Sequence, residues 1–222
     1  MQQTLNSIVP TNVRLGQALV TMGIITHFEL DMALELQKHR ENEYLGEILQ
    51  FMSVPQDKIN KTLDYLNKRK KMGDILIDLE LISPEELEHA LKEQKCIQSK
   101  MGIRTPLGIL LAQMRVINYR DYMRALSKHF VLPIICLEDY KILPSLQDVL
   151  GGKFIFEHEV LVLKNDEQKI KIALEAPTPS LMQVIRKSIP PHKEIVFCLA
   201  HPLEIESVHK RMFDPFSMNR DR

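Results

Sequence analysis

Arg14, Gly16 and Gln37 are the residues of this sequence whose types and spacing point to chemistry. An arginine guanidinium can bind a phosphate or a guanine edge through two parallel hydrogen bonds. A glycine leaves room for a ligand beside the backbone, and a glutamine amide can donate and accept at once. The alternative is that Arg14 and Gln37 form a surface pair that caps helices and contacts no ligand.

The rest of the sequence contains no pattern typical of an active site. The histidines lack the spacing of metal ligands, and no serine–histidine–aspartate or cysteine–histidine set can be argued. The segment LGGKFIF is too short for a phosphate-binding loop and lacks its first glycine. Carboxylate pairs such as Glu85 and Glu86 fall in predicted first helical turns, where negative charge offsets the helix dipole. The sequence therefore predicts no enzyme activity, no metal and no cofactor.

The composition is that of an ordinary soluble globular protein. The chain has 222 residues, of which 45% are hydrophobic and 26% charged, and its formal net charge is zero. A nucleic-acid binder would need an excess of Lys and Arg, so no nucleic-acid partner is expected. We find no signal peptide and no apolar stretch of membrane-spanning length. Three separated cysteines fit buried thiols in a reducing compartment, so a cytoplasmic protein without membrane insertion is expected.

The first 130 residues consist of four copies of one unit, arranged as two tandem pairs. The stretch RLGQALVTMGIITHFELDMALELQ (Arg14–Gln37) aligns without a gap with KMGDILIDLELISPEELEHALKEQ (Lys71–Gln94). Weaker copies follow at Tyr44–Leu66 and Pro106–His129. A unit this short buries too little apolar surface to be stable alone, so neighbouring units must pack on each other.

Each unit has the pattern of a short helix, a turn and a longer helix, because apolar residues recur at spacings of three and four. Gly23 is expected to end the first short helix, since glycine adopts the left-handed conformation found after helix C-termini. Capping patterns mark the start of three longer helices, with N-caps predicted at Thr26, Ser83 and Asn118.

The pattern changes at about residue 131, where apolar alternation and turn signals begin. Strands are predicted at Val160–Leu163, Lys169–Leu174 and Glu194–Leu199, and helices at Pro179–Ser188 and Pro202–Phe213. The expected fold class is therefore α+β, with tandem helix–turn–helix repeats (mostly α) followed by a small α+β domain. The predicted domains are a flexible N-terminus (1–11), a first helical pair (12–68), a second, degenerate pair (69–130), the α+β domain (131–214) and a disordered tail (215–222).

The first unit resembles a known family motif. RLGQALVTMGIITHFELDMALELQ is similar to R-L-G-x-x-L-V-x-x-G-x-I-x-x-x-x-L-x-x-x-L-x-x-Q, the motif of the MshE N-terminal (MshEN) domain of type II secretion and type IV pilus assembly ATPases. The resemblance extends from Asn12 to Phe213 and includes no ATPase part, so a stand-alone regulatory domain is expected. Members of this family bind cyclic di-GMP with two consecutive motifs.

The resemblance implies that cyclic di-GMP is the ligand and that its site lies in the first pair. The implied site residues are Arg14, Leu15, Gly16, Leu19, Gly23, Gln37, Leu45, Gly46 and Leu49. The second unit departs from the family pattern, with Tyr44 at the arginine position, Met52 at the inner glycine position and Leu66 at the final glutamine position. A second, weaker site would use Lys71, Gly73 and Gln94, although Glu80 replaces the inner glycine there.

Two functions are compatible with this pattern. In the first, the chain senses a cyclic dinucleotide, and binding reorients the helical pairs and changes docking on a protein of the secretion, pilus or motility machinery. In the second, the degenerate repeats bind no nucleotide and form a scaffold, and the chain is a protein–protein adaptor that docks through its α+β region.

The two functions predict different surroundings for Arg14. A ligand site would place Arg14 and Gln37 in one accessible groove. Its walls are expected to be Leu15 and Gly16 on the near side and Leu45 and Gly46 on the far side. A salt bridge that turns Arg14 away from Gln37, or a Tyr44 side chain that fills the groove, would favour the adaptor.

Overall fold

The computed structural model describes residues 13–40, 43–102 and 105–213. The chain divides into two compact units, Met1–Val131 and Leu132–Arg222. Both predicted helical pairs belong to the first unit. The segments predicted as a flexible N-terminus and a disordered tail lie outside the described residues. No helix in the described ranges is both long and apolar enough to cross a membrane.

Short and longer helices alternate through the first unit, which confirms the predicted helix–turn–helix repeat. Each short helix has seven residues. The short helices are α1 (Leu15–Thr21), α3 (Leu45–Phe51), α5 (Met72–Asp78) and α7 (Leu107–Gln113). The longer helices are α2 (His27–Lys38), α4 (Gln56–Tyr65), α6 (Pro84–Met101) and α8 (Tyr119–Phe130).

The longer helices begin where the capping patterns predict. The Oγ1 of Thr26 accepts a hydrogen bond from the Glu29 backbone N–H at 3.1 Å. Ser83 and Asn118 do the same for the N–H groups of Glu86, at 3.2 Å, and Asp121, at 2.9 Å. All three residues are therefore N-caps, as predicted.

A residue in the left-handed conformation follows each short helix. Gly23 has a φ of +65°, and the equivalent residues are Ser53 at +67°, Glu80 at +55° and Arg115 at +59°. Only the first of the four is a glycine, so the other three are in a conformation that costs L-residues free energy. The expectation that Met52 occupies the inner glycine position is wrong by one residue, because Met52 is the C-cap of α3 and Ser53 makes the turn.

The glycine near the start of each short helix allows the following longer helix to approach closely. A Cβ at these positions would lie 2.4 Å from Leu30 for Gly16, 3.4 Å from Ile59 for Gly46, 2.8 Å from Leu87 for Gly73 and 2.2 Å from Tyr122 for Gly108. The four repeats therefore share one packing contact, and the glycine is part of it in each case.

The second unit is the predicted small α+β domain. Its sheet has the order β1–β2–β3, where β1 (Val160–Asn165) pairs antiparallel with β2 (Lys169–Leu174), and β2 pairs parallel with β3 (Glu194–Leu199). Helices α10 (Pro179–Ser188) and α11 (Pro202–Phe213) lie where the sequence predicts them. The mostly α, α+β fold class is thereby confirmed.

Three helical elements of the second unit were not predicted. They are the 3₁₀ turns at Leu137–Asp139 and Pro144–Val149 and helix α9 (Gly152–His158). In the second turn, the buried amide of Gln147 bonds both backbone groups of Val162 in β1, each at 2.9 Å. The expectation of three buried thiols holds for Cys198 alone, since Cys96 is half-buried and Cys136 is exposed.

Candidate ligand site and the contacts around it

Arg14 is the N-cap residue of α1, and its side chain is exposed. Within the described residues, its guanidinium makes no hydrogen bond or ion pair, and only its backbone carbonyl is used, by the N–H of Ala18 at 3.0 Å. The condition that would have favoured the adaptor, a salt bridge that turns Arg14 away, is therefore not met there. Helix α1 is too short for its dipole to hold an anion strongly. The Arg14 guanidinium is therefore the group that could bind an anion here.

Gln37 is half-buried at the end of α2 and has a partner inside the protein. Its Nε2 donates to the backbone carbonyl of Glu43 at 3.1 Å. Gln94, the equivalent residue of the second pair, donates to the carbonyl of Thr105 at 2.6 Å. Both glutamines therefore hold the linker just before the next short helix begins. Among the described residues, no further partner of Gln37 is found, so its Oε1 acceptor and second N–H remain for a base edge.

Gly16 is buried, and one side chain of the predicted groove lies beside it. A Cβ on Gly16 would lie 3.3 Å from the Cδ2 of Leu45, so these two residues are neighbours as expected. Gly46 differs, because the space beside its Cα is taken by Ile59 and Val131. Its placement on the far wall of the groove is corrected: Gly46 packs into the core of the first unit.

Burial separates the implied site residues into two groups. Leu19 and Leu49 are 0% exposed and belong to the core of the first pair. They therefore support the site from beneath rather than contacting a ligand, which corrects their implied role. Leu15 and Leu45 are half-buried and Gly23 is exposed, so these positions are accessible.

Tyr44, at the arginine position of the second repeat, is directed toward the second helical pair. Its hydroxyl donates to the Oδ2 of Asp78, the last residue of α5, at 2.6 Å. The ammonium groups of Lys70 and Lys128 lie 5.0 and 4.8 Å from the centre of its ring. Its polar group is thus engaged between the pairs, in contacts that involve neither Arg14 nor Gln37.

Charged side chains surround the Tyr44–Asp78 hydrogen bond. Lys70 also donates to the Asp78 carboxylate, and Lys128 bonds Glu47 at 2.9 Å with both side chains largely buried. Burial, and then the hydrogen bond to Asp78, raise the pKa of the Tyr44 phenol well above its ordinary value. Hydrogen bonds from Lys70 and Tyr44 lower the pKa of the Asp78 carboxyl. The carboxylate is therefore stabilised in its charged form.

Arg69 forms a second connection between the pairs, which the sequence did not predict. Its guanidinium donates to the carbonyl of His129 at 2.5 Å and to the Oδ1 of Asp64 at 2.8 Å. The Nδ1 of His129 in turn lies 2.8 Å from the carbonyl of Lys70. Burial is the main cause that lowers the pKa of the His129 imidazole. His129 lies 60 residues after Arg69, so no local signal in the sequence identifies their contact.

Arg40, in the linker between the first two repeats, already has a partner. Its guanidinium bonds the Glu43 carboxylate at 3.1 Å and lies 4.4 Å from the centre of the Phe51 ring. It therefore stabilises the linker locally, whereas Arg14 has no side-chain partner among the described residues.

The weaker set in the second pair keeps part of the same arrangement. Lys71 is the exposed N-cap of α5, Gly73 packs against Leu87, and Gln94 holds its linker. The turn residue there is the exposed Glu80, whose negative charge disfavours a phosphate.

A solved structure described as MshE with cdg (cyclic di-GMP) aligns with this chain at a TM-score of 0.56 and 20% identity. The alignment covers 65% of this chain and 100% of that one. The chain has the fold of this MshE structure. The prediction of an MshEN-like fold is thereby confirmed, while the dinucleotide is a property of MshE itself.

Two structures of the N-terminal domain of XpsE are also similar. They align at TM-scores of 0.48 and 0.39 with 13% and 15% identity, and cover 63% and 62% of this chain and 92% and 91% of theirs. No protein-family profile and no curated protein matches the sequence.

Proposed function

We propose that this chain is a non-enzymatic regulatory module that binds cyclic di-GMP through the Arg14–Gln37 motif and docks on a protein of secretion, pilus or motility machinery. The observation that carries the proposal is the exposed Arg14 guanidinium, which has no partner within the described residues of a fold shared with MshE solved with cyclic di-GMP.

The residues assigned to the site supply chemistry suited to a nucleotide. The guanidinium binds a phosphate, or the O6 and N7 acceptors of guanine, through two hydrogen bonds. The Oε1 of Gln37 accepts from a base edge while its Nε2 remains on the Glu43 carbonyl. The half-buried side chains of Leu15 and Leu45 offer an apolar surface to the base.

Titration of the purified protein with cyclic di-GMP tests the proposal. Hydrogen bonds to a charged group contribute about 1.5–3 kcal/mol, so Arg14→Ala should weaken binding by about 10- to 100-fold. Arg120→Ala is the matched control, because Arg120 is also an exposed arginine and lies outside the motif. Absence of binding to the wild type at about 100 μM ligand would overturn the proposal.

The adaptor remains a second candidate because one observation favours it, although it lies on helix α2 and not in the α+β domain. Phe28 and Met32, four residues apart on α2, are 71% and 44% exposed. Neighbouring apolar side chains on one exposed helix face are typical of protein-binding surfaces. Capture of a partner from a native lysate separates the two functions. A partner retained equally with and without cyclic di-GMP favours the adaptor, and a partner that requires the dinucleotide favours the sensor.

A further inference from the structure

The polar positions of the second repeat (Tyr44–Leu66) make contacts inside the protein. Tyr44 occupies the position that Arg14 occupies in the first repeat, and its hydroxyl donates a hydrogen bond to Asp78 at 2.6 Å. Leu66 stands where Gln37 stands and is 3% exposed, in a cluster with Ala18. The second repeat therefore has neither a cation nor an amide at these two positions.

Several contacts hold the Tyr44 side chain in its position against Asp78. Lys128 and Glu47 bond each other with side chains only 12% and 21% exposed. Both lie beside Tyr44, since Lys128 is 4.8 Å from its ring centre and the Tyr44 backbone N–H donates to Glu47 at 2.8 Å. Turning the Tyr44 side chain away would break its hydrogen bond to Asp78 and remove its ring from Lys128, whose ammonium is largely buried.

Cyclic di-GMP consists of two identical guanosine monophosphate halves related by a two-fold axis. A symmetric ligand is recognised best by two equivalent sets of donors. The first pair of this chain provides one such set, at Arg14 and Gln37. We infer that one cyclic di-GMP molecule is shared by two copies of this chain, each contributing its Arg14–Gln37 motif to one half of the ligand. This inference rests on the proposed function.

The electrostatics favour such an assembly only when the ligand is present. In a two-fold dimer the same residues face each other, so two Arg14 guanidinium groups would approach one another. They repel without a ligand, and the two phosphates of cyclic di-GMP neutralise them. The chain has no net charge, so the rest of the surface does not oppose association. The protein should therefore be monomeric alone and dimeric with the dinucleotide.

Sedimentation velocity and isothermal titration calorimetry on the full chain test this inference. The free protein should sediment with a mass near 25.8 kDa, and saturating cyclic di-GMP should double that mass. The calorimetric stoichiometry should be one ligand for every two chains. Arg14→Ala should abolish the mass change, whereas Arg120→Ala and Tyr44→Phe should retain it, because neither changes a group assigned to the ligand.

The outcomes separate this inference from the proposed function. One ligand bound per monomeric chain overturns the sharing and leaves the proposed function standing. If Lys71→Ala weakens binding as much as Arg14→Ala while the protein stays monomeric, the second half of the ligand is held by the second pair of the same chain, and the sharing is again overturned. A dimer already present without ligand contradicts the ligand-dependent assembly, and absence of binding overturns both proposals.

Discussion

The hydroxyl of Tyr44 and the carboxylate of Asp78 are joined by a 2.6 Å hydrogen bond that connects the two helical pairs of the first unit. Tyr44 occupies the position that Arg14 occupies in the first repeat, so equivalent positions of the repeat have different tasks. Arg14 is exposed without a partner in the described residues, while Tyr44 lies within a network of charged side chains. The duplicated unit thus provides one candidate ligand position and one structural contact.

Tyr44→Phe should destabilise the first unit by about 0.5–1.5 kcal/mol, because it removes one hydrogen bond to a charged, partly exposed group. Urea unfolding of wild type, Tyr44→Phe, Asp78→Asn and the double variant measures the effect. The double variant should cost less than the sum of the single variants, since both remove the same bond. Strictly additive costs would contradict a direct interaction.

Gly108→Ala should lower stability, whereas Gly46→Ala should not. A Cβ at Gly108 would lie 2.2 Å from the buried ring of Tyr122, and overpacking of this kind costs about 1–3 kcal/mol. A Cβ at Gly46 would make ordinary contacts at 3.4 Å or more, so the better helix propensity of alanine should leave stability unchanged or raised by up to about 1 kcal/mol. Thermal unfolding of the two variants compares them, and equal losses would contradict the packing described.

Stability should fall as the pH drops below about 6.5, because burial lowers the pKa of His129 in the folded protein. The unfolded chain then binds more protons than the folded one in this range, so the free energy of unfolding rises with pH up to that value. Asp64 and Arg69 are the charged groups that face the ring. Protonation of Asp78 acts separately, near and below about pH 4, since its pKa is also lowered.

Urea unfolding at about pH 7.5 and pH 5.5 measures this dependence for wild type and His129→Gln. The wild type should lose more stability between the two conditions than the variant does. A variant with the full pH dependence of the wild type would show that another group is responsible.

Ser83→Ala should cost about 0.5–2 kcal/mol, because the Ser83 hydroxyl caps α6 and the Glu86 side chain bonds back to the Ser83 N–H. Ser99→Ala is a matched control in the same helix, where the hydroxyl donates to the carbonyl of Cys96 and caps no helix. Its removal should be neutral or slightly stabilising. Comparable losses in the two variants, measured by urea unfolding, would argue against a specific role for the cap.

The elements with strong local signals were predicted correctly. Thr26, Ser83 and Asn118 cap helices because their side chains bond amides three residues on, and such short-range chemistry is visible in sequence. Helix α9 was missed because it begins with glycine and contains two phenylalanines, which are weak helix formers. It is stabilised by the burial of Ile155 in the core of the second unit, which is a tertiary effect.

The site was predicted less completely than the fold. The motif marks Arg14 as a polar group available to a ligand, yet a motif does not distinguish accessible from buried positions. It therefore implies Leu19 and Leu49 as ligand contacts, although both are fully buried. The glycines illustrate the same difficulty, since Gly16 and Gly73 keep a packing contact that a motif cannot separate from a binding role. The contacts of Tyr44 and Arg69 join residues far apart in the sequence and are apparent only in the folded chain.

The ratio of cyclic di-GMP affinities for the wild type and Arg14→Ala, measured by calorimetry beside Arg120→Ala, tests the central claim most directly. The claim predicts saturable binding to the wild type, a loss of about 10- to 100-fold in Arg14→Ala, and no change in Arg120→Ala. Equal affinities for the wild type and Arg14→Ala, or no heat of binding to the wild type, would contradict it.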